Sequence, residues 1–269
     1  MPAPAHTPRR RFGQHFLTDA GIIDRIVAAI APSADDCIVE IGPGLGALTR
    51  PLLEALPRLH AVELDRDIVA RLGREFPAER LLVHAADALK FDFARLGPRF
   101  RVVGNLPYNI STPLLFHLAR FADAIIDIHV MLQKEVVDRM AADPGTSDYG
   151  RLSVMLQYRF SIEKLFDVPP EAFRPPPKVD SAVVRLTPFE RLPFPAKDEH
   201  LFAALVAAAF SQRRKTLRNT LKGYLGPEAL ARLGIDPQLR AENLSVEQFV
   251  RAANHLCAPV AATGTTPEE

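Results

Sequence analysis

From about Asp36 onward, short apolar runs alternate with stretches of helical periodicity, and that alternation restricts the fold more than any other feature of the chain. Cys37 to Ile41, Leu59 to Leu64 and Leu81 to Ala85 read as buried strands, with helical patterns at Leu48 to Leu56 and Ile68 to Phe76 between them. Strand and helix repeated in this way predict βαβ units, hence an α/β fold whose mostly parallel sheet carries helices on both faces. Further strands are expected at Arg101 to Gly104 and Ile125 to Leu132, then a late pair at Lys164 to Val168 and Ser181 to Leu186. Pro169, Pro170, Pro175, Pro176 and Pro177 separate the late pair. Prolines suit neither a strand interior nor a helix, so a rigid extended loop is expected there. A second proline group, Pro188, Pro193 and Pro195, precedes a wholly helical pattern that runs through Asn254. That shift predicts a boundary near residue 190, with a first domain over 1–190 and a small all-helical domain over 191–269.

A chain of 269 residues with 48% hydrophobic and 24% charged residues has ample material to bury a core. The longest apolar run, Leu201 to Phe210, is ten residues, against the roughly 20 needed to span a bilayer, and reads as a core helix. Met1 to Arg11 carries prolines and arginines but no apolar stretch of the kind a secretory signal needs. Cys37 and Cys257 alone support neither a disulfide framework nor a zinc site, so no metal and a reducing, cytoplasmic compartment are expected. The net charge of +1 is uninformative, but its distribution is not. Arg9, Arg10 and Arg11 stand in an acid-free N-terminal arm of residues 1–18, and Arg213, Arg214, Lys215, Arg218 and Lys222 stand in an acid-free stretch of residues 200–223. Such a cluster is either a footprint for a polyanion or a solvated helix face.

The segment after the first strand is Glu40-Ile41-Gly42-Pro43-Gly44-Leu45-Gly46, a glycine loop opening a helix, where backbone can approach a nucleotide-type ligand. Gly42, Gly44 and Ala47 also satisfy the looser dinucleotide fingerprint, so the loop alone does not choose a ligand. Glu40 beside it would repel a pyrophosphate and suit the ammonium or sulfonium of S-adenosylmethionine. Glu63, 21 residues after Gly42 at the end of the second strand, is placed to accept from ribose hydroxyls of either cofactor. Asp87, after the third strand, can accept from an adenine amino group or make an Asx turn. Three acids following three successive strands lie on one edge of a parallel sheet.

Asn105-Leu106-Pro107-Tyr108 follows the fourth strand, at the same edge. The lone pair of adenine N6 is delocalised into the ring, so the amine is a poor nucleophile unless it is held and its pair localised. The Asn105 side-chain oxygen and the Leu106 carbonyl, fixed by Pro107, can each accept one N6 hydrogen and aim the nitrogen at a methyl group. Tyr108 can stack on the purine, an interaction worth roughly 1–3 kcal/mol per base. The competing reading is a turn beside a core aromatic. Phe173, in the proline loop, can close on the other face of the base or pack in the core. His60, His84, His117 and His129 lie inside strand or helix patterns and receive no role.

These residues resemble the bacterial small-subunit ribosomal RNA adenine N6,N6-dimethyltransferases. The likeness runs through Arg11 to Leu17, Val39 to Thr49, Val62 to Asp67, Gly104 to Thr112, Met131 to Val136, Tyr149 to Ser153, Val168 to Leu186 and Phe210 to Leu221. It implies a seven-stranded Rossmann-like class I methyltransferase domain with a helical C-terminal domain, acting as a monomer. It also implies dimethylation of two adjacent adenines in the hairpin loop near the 3′ end of 16S ribosomal RNA, within the immature small subunit. The implied cofactor positions are His15, Leu17, Gly42, Glu63, Asp87 and Asn105, to which the loop chemistry adds Glu40 and Gly44. Asn105, Leu106 and Tyr108 form the implied acceptor site, with Phe173 as second stacking partner. Two positions depart from the pattern: His15 stands where better-known members carry Asn, and Ala86 where Gly commonly precedes the Asp. Arg214, Arg218 and Lys222 recur every four residues and would share one helix face for tracking phosphates.

Three other functions are weighed against this one. A large-subunit adenine methyltransferase of the macrolide-resistance type shares the first domain, but Leu106 and the stretch Phe210 to Asn219 resemble the small-subunit group. An assembly factor that uses methylation to time its release from immature subunits is compatible with the same sequence. A dinucleotide-dependent oxidoreductase would need a nicotinamide cofactor in the glycine loop.

Overall fold

The structure is a computed structural model that describes residues 15–257; the predicted contributions of Arg9, Arg10 and Arg11 lie outside the described residues. Backbone proximity divides the chain into two compact units. Of the described residues, the first takes 15–141 and 159–190, and the second takes 142–158 and 191–257.

The first unit begins with β1 (Phe16–Leu17) and α1 (Ala20–Ile30). Asp19 caps α1 by accepting from Ile22 N, and Ile22, Ile26 and Ile30 fall at four-residue spacing on the buried face. Each such isoleucine contributes about 1.5–3 kcal/mol on burial. The predicted alternation follows as β2 (Ile38–Ile41), α2 (Thr49–Ala55), β3 (Leu59–Glu63), α3 (Arg66–Glu75) and β4 (Leu81–Ala85). Next come β5 (Phe100–Asn105), α4 (Ser111–Ala119), β6 (Ile125–Gln133) and α5 (Lys134–Ala141). The chain then leaves for the second unit through α6 (Arg151–Gln157) and returns as β7 (Phe160–Val168), β8 (Phe173–Arg174) and β9 (Ser181–Pro188).

Seven strands form one sheet in the order β4-β3-β2-β5-β6-β9-β7. The first five pair in parallel, while β9 runs antiparallel to both its neighbours. The β2–β5 junction is the point where strand order reverses, the place at which open α/β sheets bind ligands. There the two backbones approach so closely that a Cβ on Gly104 would lie 2.5 Å from the Ile41 carbonyl oxygen. The proline loop is not wholly extended: it makes a 3-10 turn at Pro170–Ala172 and then β8, which pairs antiparallel with β1 through Phe16 opposite Arg174 and Leu17 opposite Phe173. Thr18 N donates to Ala172 O at 2.8 Å, extending this contact between segments far apart in the chain.

The second unit comprises α6 with α7 (Glu199–Ala209), α8 (Leu217–Thr220), α9 (Pro227–Arg232) and α10 (Val246–Leu256). Its own core gathers Val154, Tyr158, Phe202, Val206, Leu217, Leu221, Leu230 and Phe249. Residues 142–158 join it because Tyr149, Val154 and Tyr158 pack in that core, and the Tyr158 hydroxyl accepts from Ala196 N at 3.1 Å. One expectation fails here. Arg214 and Lys222 do not share a helix face with Arg218, because α7 ends at Ala209 and α8 spans only Leu217–Thr220. In a continuous helix the N–H groups of Leu217 and Arg218 would bond back along their own segment; they donate instead to Leu239 O at 2.8 Å and Pro237 O at 3.0 Å. Arg213, Arg214, Lys215, Arg218 and Lys222 are nevertheless all exposed, and Arg213 also donates to Ser147 O at 2.9 Å. Among the described residues no helix is long and apolar enough to cross a membrane.

Candidate active site

Strand order lines up four chain segments at one edge of the sheet: Asp87 after β4, Glu63 ending β3, Glu40 in β2 and Asn105 ending β5. They open on one cavity of about 350 Å3, within the range for small-molecule sites. His15, Leu17, Glu40, Gly42, Gly44, Glu63, Asp87, Asn105, Leu106 and Tyr108 all line it.

Gly42, Gly44 and Gly46 have φ of 68°, 55° and 83°, so the turn above β2 runs through backbone that favours glycine. A Cβ on Gly44 would also meet the Phe16 ring at 3.1 Å. Glu40 lies beneath this turn, 2% exposed, with Oε2 accepting from the Thr49 hydroxyl at 2.6 Å. Burial pushes its pKa up to about 7; the Thr49 bond opposes the rise and the Glu63 charge adds to it. Burial also raises Glu63, against the backbone N–H groups of Asp65, Leu64 and Gly44; the Asp65 N–H reaches Glu63 Oε1 at 2.8 Å. Asp87 makes the Asx turn considered above, Oδ1 accepting from Leu89 N at 3.0 Å, and lines the cavity as well.

On the other wall, Asn105 Nδ2 donates to the His15 carbonyl oxygen at 2.9 Å. A backbone carbonyl can only accept, so this contact fixes which way the amide faces. His15 Nδ1 is 2.8 Å from Pro175 O and must carry the proton there, and the His15 ring stacks on Tyr108 at 5.7 Å between centroids. The Tyr108 hydroxyl is 2.6 Å from Ser181 Oγ. Burial raises the Tyr108 pKa, with the Ser181 bond opposing, so the phenol is neutral at ordinary pH.

Phe173 is the exception among the candidate residues. It is fully buried, packs in the same core cluster as Leu17 and Val183, and does not line the cavity, so its ring presents no face to a base. Pairing of β8 with β1 turns it inward. Leu64 went unrecognised as a site residue: it is 53% exposed and lines the cavity next to Glu63. An apolar side chain one position past the end of a buried strand was the available signal.

The lining contains three carboxylates and, among the described residues, no lysine or arginine. Three carboxylates without a lysine or arginine would repel a pyrophosphate, whereas they suit ribose hydroxyls, an adenine amine and a cationic sulfonium amino acid. Among the described residues no cluster of His, Cys, Asp or Glu could hold a metal ion. Sheet order, the reversed β9 and this acidic cavity at the switch point define a Rossmann-like S-adenosylmethionine-dependent methyltransferase.

The family model for ribosomal RNA adenine dimethylase matches residues 5–257, and the chain belongs to that family of S-adenosylmethionine-dependent rRNA methyltransferases. It is 65% identical over 251 residues to the ribosomal RNA small subunit methyltransferase A of Laribacter hongkongensis, covering 93% of this chain and 96% of that one. It is 68% identical over 244 residues to the protein of the same name from Thiobacillus denitrificans, covering 91% and 96%. Among solved structures, a dimethyladenosine transferase from Plasmodium falciparum superposes with a TM-score of 0.76 at 28% identity, covering 88% of this chain and 96% of that one. The 23S rRNA methyltransferase ErmE superposes at 0.71 with 25% identity, covering 90% and 100%.

Proposed function

We propose that this enzyme, acting as a monomer, transfers two methyl groups to the N6 of each of two adjacent adenines in the 3′-terminal hairpin loop of 16S rRNA in the immature small subunit. The observation that carries this reading is the Asn105 amide, which is pinned through Nδ2 to the His15 carbonyl beside Tyr108 in the acid-lined cavity. With Nδ2 so engaged, Oδ1 is left for the acceptor amine. Asn105 Oδ1 and the Leu106 carbonyl then accept the two N6 hydrogens, Tyr108 stacks on the purine, and the nitrogen lone pair is aimed at the methyl. S-adenosylmethionine, when bound, supplies a methyl already activated by its sulfonium, so no general base has to act before transfer. Glu63 is assigned to the ribose hydroxyls, Asp87 to the adenine amine and Glu40 to the cationic end, with Gly42 and Gly44 admitting the ligand close to the backbone. Leu17 and His15 close the cavity from the N-terminal side. In the second unit, Arg213, Arg214, Lys215, Arg218 and Lys222 contact rRNA phosphates.

Support for the small subunit rather than the large comes from the relatives at 65% and 68% identity, named for the small subunit, against 25% for the 23S enzyme. The test is incubation of the protein with labelled S-adenosylmethionine and small subunits that lack the modification, followed by nucleoside analysis. Label is expected as N6,N6-dimethyladenosine at two neighbouring positions, and Asn105→Ala is expected to abolish it while cofactor still binds. Bound cofactor with no label in adenine would refute the reading.

A further inference from the structure

Tyr108 does not stand free in the cavity wall. His15 covers one face of its ring, with planes 26° apart, so a purine that stacks on Tyr108 must take the opposite face. At the far edge of the ring the hydroxyl is 2.6 Å from Ser181 Oγ. Ser181 is fully buried and begins β9, where it lies opposite Gln133 of β6 and Val168 of β7. Its hydroxyl is therefore anchored to the interior of the sheet rather than to the loop that carries Tyr108. The residues that follow it, Ala182, Val183 and Val184, are apolar and equally buried, so packing alone does not call for a hydroxyl at this position.

We propose that Ser181 is a positioning residue for methyl transfer: through the Tyr108 hydroxyl it fixes the place of the ring on which the acceptor adenine stacks, while the His15 ring backs its face. The proposal rests on the reading of Tyr108 as the base platform. The Tyr108 hydroxyl lies on the axis about which χ2 turns, so a bond to it restrains not that rotation but the swing of the whole ring about χ1. Held by His15 on one face alone, the ring could still swing, and the amine of an adenine stacked on it would move off the line to the methyl. The bond to Ser181 restrains the end of the ring remote from the backbone, where a small tilt has its largest displacement. The contact also joins two parts of the chain that the sheet brings together only at its reversed strand, since Tyr108 follows β5 and Ser181 opens β9.

A double-mutant cycle distinguishes positioning from mere structure. Ser181→Ala, Tyr108→Phe and the double variant are assayed for methylation of unmodified small subunits at saturating S-adenosylmethionine. Cofactor affinity is measured separately by calorimetry. Each single variant is expected to lower kcat/KM for the subunit about 5- to 10-fold, the scale of one hydrogen bond. The double variant should show the same loss, not its square, and cofactor affinity should stay within about twofold of wild type. Multiplying losses in the double variant, an unchanged kcat/KM in either single variant, or a cofactor defect as large as the turnover defect would overturn the proposal. Should Ser181→Ala fail to fold, Tyr108→Phe removes the same bond from the exposed side and decides alone. Wild-type enzyme that leaves adenine unlabelled would count against the function itself, whatever the variants do.

Discussion

Glu40→Gln isolates the electrostatics of the cavity. Glu40 is 2% exposed and its pKa rises from the ordinary 4.5 to about 7, first through burial and then through the Glu63 charge, with the Thr49 hydroxyl pulling the other way. The folded state therefore holds this proton more tightly than the unfolded chain does. The stability that Glu40 contributes is complete below pH 4.5 and is lost as the pH climbs towards about 7. At about 1.36 kcal/mol per pH unit, that span amounts to about 3 kcal/mol. Glutamine keeps the size of the side chain and an acceptor for the Thr49 hydroxyl but cannot ionise. Urea unfolding followed by circular dichroism should thus find variant and wild type equally stable at pH 4.5, and the variant more stable by about 3 kcal/mol at pH 8. The same ionisation is linked to cofactor. A cationic ligand prefers the carboxylate, so binding near pH 7 releases more of a proton from wild type than from the variant, in which only Glu63 is left raised by burial. Calorimetric enthalpies measured in phosphate and in Tris should differ more for wild type than for Glu40→Gln. A variant less stable than wild type at pH 8, or a stability difference that stays constant from pH 4.5 to 8, would refute the argument.

Three further perturbations probe the framework. Gly104→Ala places a Cβ 2.5 Å from the Ile41 carbonyl, and since neither backbone can yield cheaply, a loss of at least about 1–3 kcal/mol in urea titration is expected; an unchanged midpoint would contradict the close strand approach. His60 Nδ1 and His84 Nε2 lie 3.1 Å apart, and both histidines are held below the ordinary 6.5, first by burial, then by the neighbouring His84 and Arg58 for His60 and by Arg95 for His84. Depressed values mean that the folded state resists protonation, so the stability these two histidines contribute falls as the pH drops below 6.5, and His84→Gln should gain stability relative to wild type between thermal melts at pH 7.5 and 5.5. Arg218→Ala removes an exposed charge from the second unit; rRNA affinity measured against salt concentration should lose about one unit of log-log slope, while stability shifts by no more than about 0.5 kcal/mol.

Most of the sheet was legible because its parallel strands are buried on both sides and stand out as continuous apolar runs; Ile38–Ile41 is buried at every position. The cavity-lining acids were legible for a related reason, since a polar residue directly after such a run falls at the sheet edge where ligands bind. The signals of α1 were present too, with Asp19 ahead of Ile22, Ile26 and Ile30, although no helix was expected before Asp36. The spacing of Arg214, Arg218 and Lys222 matches a helical period that the backbone does not follow, because period says nothing about which carbonyls the N–H groups will find, and Leu239 and Pro237 supply them for Leu217 and Arg218. Leu64 shows the converse failure: its hydrophobicity let it pass as the last residue of a strand, whereas its exposure marks it as cavity wall.

The pairing of β1 with β8 accounts for the differences around Tyr108 and Phe173, and it lies beyond local pattern for a physical reason. Each partner is two residues long, below any window in which periodicity can be counted, and the bond from Thr18 to Ala172 closes a separation of 154 residues. Yet this one contact reassigns several residues at once. It draws the proline loop inward, so that Phe173 faces Leu17 and is lost as a stacking partner. It brings Pro175 to His15, whose ring then backs Tyr108 and whose carbonyl orients the Asn105 amide. The aromatic expected from the loop is thus replaced by an imidazole from the N-terminal segment, on the far side of the tyrosine rather than across the base. An adenine in this site would be gripped by one aromatic face and two hydrogen-bond acceptors, and the accuracy of the grip would depend on what holds that single ring in place.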